Sequence, residues 1–218
     1  MGRLHMIPLN TIQCRDCLEG MREIPDKSID LVITDPPYGL GSRVVDGGSV
    51  SPLIRAANND VKTWDVKIEK KYFDEIFRIS KNQIIWGGNY YLDILRNVRC
   101  FIIWDKMIHG NTYSDCDFAW SSFDSPSRIW VKNIVDVTME GRIHPTQKPV
   151  KLFEWIIKNY AKPGDTICDP FFGSGSCLVA CVRMGHQFIG FEKDKKYFDA
   201  AQLRIKKAQE QGKIGMWF

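Results

Sequence analysis

The sequence contains no apolar run long enough to span a bilayer, and residues 1–6 lack a secretory apolar region. A membrane role is therefore not expected, and we expect a cytoplasmic protein. Internal repeats and low-complexity tracts are also absent. The 218 residues, of which 44% are hydrophobic, suffice for one large domain with a substantial core. We predict that this single domain covers residues 1–218.

An even number of cysteines is lacking as well, because the chain has seven of them. This count argues against a disulfide scaffold and favours reduced thiols. Cys14 and Cys17 have the spacing of a zinc knuckle, but no second close pair with that spacing follows. Cys177 and Cys181 lie one helical turn apart among apolar neighbours. We predict mostly buried thiols and no metal, with a zinc site as the alternative.

Neither sign of charge is in large excess, since the chain has 30 Lys and Arg and 26 Asp and Glu. The net charge of +4 is compatible with a nucleic-acid partner but does not require one. Between Lys106 and Arg142 the acids outnumber the bases by five to four. Charge alone therefore does not identify a partner.

Short apolar runs alternate with amphipathic stretches of helical period, which predicts a mostly parallel sheet with helices on both faces. Strands are predicted at residues 9–14, 29–34, 83–86, 100–104, 166–168 and 187–191, and helices at 18–24, 70–80, 152–160, 175–184 and 197–209. Residues 118–122 and 127–131 are predicted to form an antiparallel pair around the turn-prone Asp124-Ser125-Pro126. Residues 39–63 lack periodicity and are predicted to form a long flexible loop.

The string Asp35-Pro36-Pro37-Tyr38 directly follows a predicted strand. The two prolines have no backbone N–H, so the Asp35 carboxylate and the Pro36 carbonyl form an acceptor-rich group. Such a group can take both hydrogens of a nucleobase amino group, and the Tyr38 ring offers a stacking face for an extruded base. The alternative is a rigid Asp-Pro-Pro turn with a half-buried tyrosine. We favour the functional interpretation and predict Asp35, Pro36, Pro37 and Tyr38 as catalytic.

A second string, Asp169-Pro170-Phe171-Phe172-Gly173-Ser174-Gly175, lies between a predicted strand and a predicted helix. Glycines at a helix start expose N–H groups and a positive dipole end to an anion. Glu192 ends the next predicted strand, 19 residues after Gly173, where an acid typically accepts ribose hydroxyls. These features predict a nucleoside cofactor. A surface role for Glu192 beside Lys193 is the alternative, and an NAD-dependent dehydrogenase also fits the glycine loop but leaves Asp35 to Tyr38 unexplained.

With both strings in this order, the chain resembles the β group of S-adenosylmethionine-dependent DNA amino-methyltransferases, which modify adenine N6 or cytosine N4. Four blocks carry the resemblance: Asp16-Cys17-Leu18-Glu19, residues 29–38, residues 144–149 (His-Pro-Thr-Gln-Lys-Pro), and Asp169 to Gly175 with Glu192. The resemblance implies a circularly permuted, Rossmann-like class I methyltransferase fold with a seven-stranded sheet. It also implies S-adenosylmethionine as cofactor.

Residue by residue, the resemblance implies that Asp35, Pro36 and Tyr38 hold the flipped base. The expected cofactor contacts are Asp16, Cys17, Asp35, Thr146, Lys148, Asp169, Phe171, Gly173, Gly175 and Glu192. In this set Asp16 is expected at the adenine amino group, and Thr146 and Lys148 near the cofactor carboxylate. Asp16 is alternatively a helix cap, and residues 144–149 are alternatively a proline-bounded loop that sets up a helix.

The implied reaction is a direct in-line displacement: the base amino nitrogen attacks the sulfonium methyl group, S-adenosylhomocysteine leaves, and a proton is lost afterwards. Asp35 favours adenine because cytosine-N4 members more often carry serine there. The alternatives are cytosine-N4 methylation, methylation of RNA adenine, and an inactive binding module. Residues 106–143 are predicted as a short target-recognition insertion, and residues 39–63 as a loop that contacts DNA. The predicted partners are double-stranded DNA, a second subunit in a homodimer, and a cognate restriction endonuclease.

Overall fold

The computed structural model describes residues 7–40, 65–110, 114–133, 143–144 and 146–214, with side chains to residue 212. In this part of the chain the strands are β1 Thr11–Gln13, β2 Ile29–Thr34, β3 Ser80–Trp86, β4 Cys100–Asp105, β5 Cys116–Ser121, β6 Arg128–Val131, β7 Thr166–Asp169 and β8 Gln187–Phe191. The helices are α1 Cys17–Met21, α2 Lys70–Ile79, α3 Val150–Tyr160, α4 Ser176–Met184 and α5 Lys195–Ile214, with a 3₁₀ turn at Gly88–Tyr90.

The sheet is central because its middle strands are apolar on both faces, as expected for parallel strands under helices. On β2, Leu31 and Ile33 face a cluster built with α3, α4 and α5, whereas Val32 faces a cluster that includes Met21 of α1 and Ile76 of α2. All three side chains are essentially inaccessible to solvent. The prediction of a mostly parallel sheet covered on both faces is confirmed.

The strands run in the order β1-β8-β7-β2-β3-β5-β4-β6. Strand β2 pairs in parallel with β3 on one side and with β7 on the other, and β7 pairs in parallel with β8. The chain therefore leaves β2 and β7 in opposite directions across the sheet. Such a point opens a crevice at the carboxyl ends of the two strands, where open α/β sheets bind ligands. Asp35 and Asp169–Gly175 lie at these two ends.

Two details of the predicted sheet are wrong. The described residues form eight strands, not seven, because β6 adds an edge strand. The predicted antiparallel pair also does not form. Strands β5 and β6 exist, but β4 lies between them, antiparallel to β5 and parallel to β6. Local turn signals do not show that a third strand, with buried residues at alternate positions, separates the two.

The segment predicted as a recognition insertion contributes β5 and β6 to the sheet, and β5 pairs with both β3 and β4. Most of the predicted loop 39–63 lies outside the described residues. Among the residues that are described, no helix has the length and apolar character needed to cross a membrane.

Candidate active site

Asp35 stands immediately after β2, half-buried, with both carboxylate oxygens engaged. Its Oδ1 accepts a hydrogen bond from the Tyr38 hydroxyl, and its Oδ2 accepts one from Lys148 Nζ at 2.5 Å. Pro36 is buried and supplies no competing N–H. The acceptor group predicted from the sequence is therefore present, and in this state two donors of the protein itself occupy the carboxylate.

The ring of Tyr38 packs against the loop that follows β3. It stacks on Tyr90, with ring centroids 4.9 Å apart and ring planes at 24°, and Tyr91 meets it edge-on at 6.5 Å. The Tyr91 hydroxyl donates to the Pro37 carbonyl. Burial and the nearby Asp35 carboxylate raise the pKa of Tyr38 well above its ordinary value, so its hydroxyl stays a donor. Tyr90 covers one face of the ring that was predicted to receive the base.

Gly87 makes this packing possible. Its φ of +65° is a left-handed conformation, and a Cβ on it would lie 2.0 Å from a Tyr38 ring carbon. Gly87→Ala is therefore expected to destabilise the protein by about 2–4 kcal/mol, because left-handed strain and overpacking add. Urea denaturation measures the effect.

Gly164→Ala is the matched control, because Gly164 has a φ of +89° and a methyl group there would meet no atom within 4 Å. It isolates backbone strain from the clash. Equal losses of stability in the two variants would show that the contact with Tyr38 does not constrain residue 87.

The second half of the site is the loop between β7 and α4. Gly173 has a φ of +47° and donates its N–H to Glu192 Oε2 at 3.1 Å, while the other Glu192 oxygen accepts the Asp194 N–H at 2.8 Å. These bonds hold the carboxylate at the end of β8, and burial raises its pKa. Glu192 is therefore a fixed acid in the cleft and not a mobile surface residue.

Asp16 is a helix cap and also lines the cleft. One of its oxygens accepts the Leu18 N–H at 2.8 Å and caps α1, and the other accepts the Tyr72 hydroxyl at 3.1 Å. The Tyr72 ring lies 6.0 Å from that of Phe171, and both line the same cleft as Asp16. Burial and Asp16 raise the pKa of Tyr72 to about 12. A planar group packed against these rings in the cleft would have a carboxylate nearby.

The predicted block at residues 144–149 bridges the two halves. The His144 ring packs edge-on against Tyr197 of α5, with centroids 4.3 Å apart, and its Nδ1 lies 3.2 Å from the Thr146 hydroxyl. Its side chain also faces Gly173. Lys148 instead reaches the base side and pairs with Asp35. The block is therefore more than a helix lead-in, while Pro145 lies outside the described residues.

Asp169 ties the two strand ends together. Its Oδ1 accepts the Thr34 hydroxyl at 2.9 Å and the Phe171 N–H at 3.2 Å. Burial is the largest effect on it and raises its pKa to about 7, although these hydrogen bonds act in the opposite direction. Nearby Asp35 and Glu192 add to the rise. The bond from Thr34 fixes the residue before Asp35 against the cofactor loop.

This raised pKa predicts a pH-dependent stability. The folded state holds the Asp169 proton more tightly than the unfolded state, where the pKa is about 4. Stability is therefore lost as the pH rises through the window from about 4 to about 7. Asp169→Asn removes this term, so its stability relative to the wild type should rise across that window by at most about 4 kcal/mol. Urea titrations at pH 4.5 and pH 8 test this, and parallel changes in the two proteins would contradict it.

One cleft collects most of the predicted residues. Its walls include ten of them, together with residues that were not predicted for the site. The predicted ones are Asp16, Cys17, Asp35, Pro36, Pro37, Tyr38, Thr146, Phe171, Gly173 and Glu192; the additional ones include Arg15, Lys67, Ile68, Tyr72, His144, Pro170, Lys193, Asp194 and Tyr197. Most of the additional residues follow a strand end or begin a helix near one, a signal that the sequence did contain.

Three predicted residues do not line the cleft. Lys148 and Asp169 act through their hydrogen bonds to Asp35 and Thr34. Gly175 begins α4, with a φ of +72°, and a Cβ there would lie 3.1 Å from that of Ala201. It therefore allows α4 and α5 to pack closely, which is a structural role.

The described cysteines are all unpaired, and most of them are buried. Burial raises the pKa of the Cys17 thiol in the cleft wall, so it is a poor nucleophile. In the described ranges, no three His, Cys, Asp or Glu side chains are grouped so that they could hold a metal ion.

Solved structures share this fold. The PvuII DNA methyltransferase, which is cytosine-N4-specific, superposes with a TM-score of 0.63 at 16% identity, over 95% of this chain and 93% of that one. The complex of M1.HpyAVI with SAM gives 0.59 at 24%, over 89% and 98%. TTHA0409, a putative DNA modification methylase from Thermus thermophilus in complex with S-adenosyl-L-methionine, gives 0.56 at 19%, over 91% and 95%. The fold is that of a class I methyltransferase.

Sequence comparison finds similarity to DNA methylases. The profile of the DNA methylase family N6_N4_Mtase matches residues 119–203. The type II methyltransferase M.HinfI of Haemophilus influenzae is 28% identical over 251 aligned residues, which cover 91% of this chain and 68% of the relative. The putative methylase YubD of Escherichia coli K12 is 26% identical over 219 residues, or 90% and 92%. These matches support the resemblance of the chain to the S-adenosylmethionine-dependent N6/N4 DNA methyltransferases.

Proposed function

We propose that this protein transfers the methyl group of S-adenosylmethionine to the N6 amino group of adenine in double-stranded DNA. One observation carries the proposal. The acceptor residue Asp35 and the cofactor loop at Gly173 follow adjacent strands of the sheet and line one cleft. An amino group held by the first would face a methyl donor held by the second.

The cleft has the chemistry that the cofactor needs. Carboxylates of Asp16 and Glu192 suit the amino and hydroxyl groups of a nucleoside, and the rings of Tyr72 and Phe171 suit its purine. Bound there, S-adenosylmethionine supplies an electrophilic methyl group on a sulfonium. The same carboxylates, with Asp35 beyond them, favour a cation over an anion in this cleft.

The chain contributes to catalysis by positioning and by electrostatics. Asp35 and the Pro36 carbonyl accept the hydrogens of the amino group, which directs the nitrogen lone pair away from the protein and toward the donor. The neighbouring prolines exclude competing donors. No covalent nucleophile is required, in keeping with the inert thiol at Cys17.

The choice of adenine over cytosine rests on Asp35, since a carboxylate at this position is the more common choice in enzymes that act on adenine. The test is incubation with labelled S-adenosylmethionine and unmodified DNA, followed by nucleoside mass spectrometry. N6-methyladenine is the expected product. N4-methylcytosine would overturn the base assignment but keep the reaction, and label on RNA alone would overturn the substrate.

Recognition of the DNA sequence falls to the connections within residues 106–143 and to the loop at residues 39–63. Strands β5 and β6 take up part of the first segment, which is also too short for a separate folded recognition domain. A second subunit would enlarge the recognition surface, and we therefore propose a homodimer, which sedimentation of the purified protein tests. A cognate restriction endonuclease in the same host is also part of the proposal.

A further inference from the structure

Lys148 carries one of the few buried charges of the described chain. Its side chain is 6% exposed, and its Nζ lies 2.5 Å from Asp35 Oδ2. A buried ammonium is costly unless it is paired and hydrogen-bonded. Asp35 is the acidic partner in this structure, although the two residues are 113 positions apart in the sequence.

A second contact fixes the ammonium in place. Nζ lies 5.0 Å from the centroid of the Trp86 ring, at the end of β3, which is a cation–π distance. The Trp86 ring is fully buried, so it cannot move away from Lys148 without disturbing the core. Lys148 also directly precedes Pro149, the N-cap of α3, so its backbone is anchored. The direction from which it approaches Asp35 is therefore set by the fold.

The two donors on Asp35 differ in how readily they can leave. Tyr38 offers a neutral hydroxyl on a half-buried ring at the cleft wall, whereas Lys148 offers a buried cation outside the cleft lining. Both bonds end on the carboxylate, but only the bond from Lys148 pairs opposite charges, which makes it the stronger of the two in a buried site. An incoming amino group can therefore replace the tyrosine hydroxyl on Oδ1 while Lys148 keeps Oδ2.

We propose that Lys148 is a positioning residue that holds Oδ2 of Asp35, so that Oδ1 is the oxygen presented to the target amino group. The inference rests on the proposed function and assigns Lys148 to the base side of the site instead of the cofactor carboxylate. It also gives a reason for the ion pair to lie where two strand ends and residues 144–149 converge.

The test is Lys148→Met in the full-length protein, which keeps the aliphatic stem and removes the charge. The expected result is a kcat lowered about 100-fold at saturating S-adenosylmethionine and DNA, as a misplaced reacting group causes. The Kd for S-adenosylmethionine, measured by calorimetry, should stay within about threefold. Lys151→Met is the control, because Lys151 is exposed in the first turn of α3. A weakened Kd with a normal kcat would assign Lys148 to the cofactor and overturn the proposal.

A double-mutant cycle separates an effect through Asp35 from general damage. In an Asp35→Asn background, which removes the carboxylate that would be left unpaired, Lys148→Met should change the residual single-turnover rate by less than about twofold. A further loss of tenfold or more would overturn the proposal. If Lys148→Met alone does not fold, the comparison of Asp35→Asn with the double variant still tests the proposal. If the wild type transfers no methyl group to DNA, the proposed function fails instead.

Discussion

Asp35→Ala is expected to lower the rate of methyl transfer by more than about 1000-fold, since it removes the acceptor on which the amino group depends. The mutation also removes the partner of a buried lysine and of Tyr38. Single-turnover transfer of tritiated methyl groups to DNA measures the rate. The Kd for S-adenosylmethionine, measured by calorimetry, should remain within about threefold because the residues proposed to hold its purine and ribose lie elsewhere in the cleft.

Two further variants sharpen this result. Asp35→Asn keeps an acceptor oxygen but not the charge and should retain a measurable rate, about 100-fold below the wild type. Asp199→Ala removes an exposed aspartate of α5 that pairs only with Lys195 among the described contacts, and it should leave the rate unchanged. A fast Asp35→Ala enzyme would remove the acceptor group from the mechanism.

The sequence predicts the sheet well where periodicity is unambiguous. β2 and β8 have the predicted bounds, and the other strands differ by a few residues at their ends. These strands are short apolar runs with no competing helical pattern. The class of fold follows from their alternation with amphipathic helices.

Pairing between strands is where the sequence prediction fails. Residues Asp124-Ser125-Pro126 do connect β5 and β6, but the turn does not close a hairpin. Strand β4 pairs with β5 along its full length and with β6 over its last four residues. Each pairing depends on contacts across tens of residues, and a local turn signal carries no information about them.

The sequence predicts those site residues that lie directly after a strand or in the loop that follows one. Asp35, Gly173 and Glu192 follow strands that the sequence identifies, and all three line the cleft. The partners of these residues come from helices and loops distant in the sequence. Tyr90 against Tyr38, and Tyr72 against Asp16, are contacts that only the folded chain reveals.

Lys148 shows the same limit in another way. The sequence resemblance places it near the cofactor carboxylate, whereas the structure pairs it with Asp35. A flexible four-carbon stem can reach several groups from one backbone position. Its actual partner depends on the cation–π contact with Trp86 and on its position directly before the N-cap of α3.

Glu192→Ala is expected to raise the Kd for S-adenosylmethionine about 100-fold. The mutation removes a charged acceptor for the ribose hydroxyls, and hydrogen bonds to charged groups contribute about 1.5–3 kcal/mol each. It also leaves the N–H groups of Gly173 and Asp194 without their partner, so the loop that begins α4 should lose order. Titration calorimetry with S-adenosylmethionine in the absence of DNA measures this Kd without turnover.

The kinetic pattern distinguishes this variant from the one at Asp35. A lost cofactor contact raises KM for S-adenosylmethionine and leaves kcat at saturation largely intact, whereas the loss of Asp35 lowers kcat with KM nearly unchanged. Glu210→Ala, at an exposed position of α5, is the matched control and should bind like the wild type. The Kd of Glu192→Gln for S-adenosylmethionine should lie between those of Glu192→Ala and the wild type, because glutamine keeps one acceptor oxygen. An unchanged affinity in Glu192→Ala would mean that the nucleoside lies elsewhere in the cleft, and the two halves of the site would then not face each other across β2 and β7.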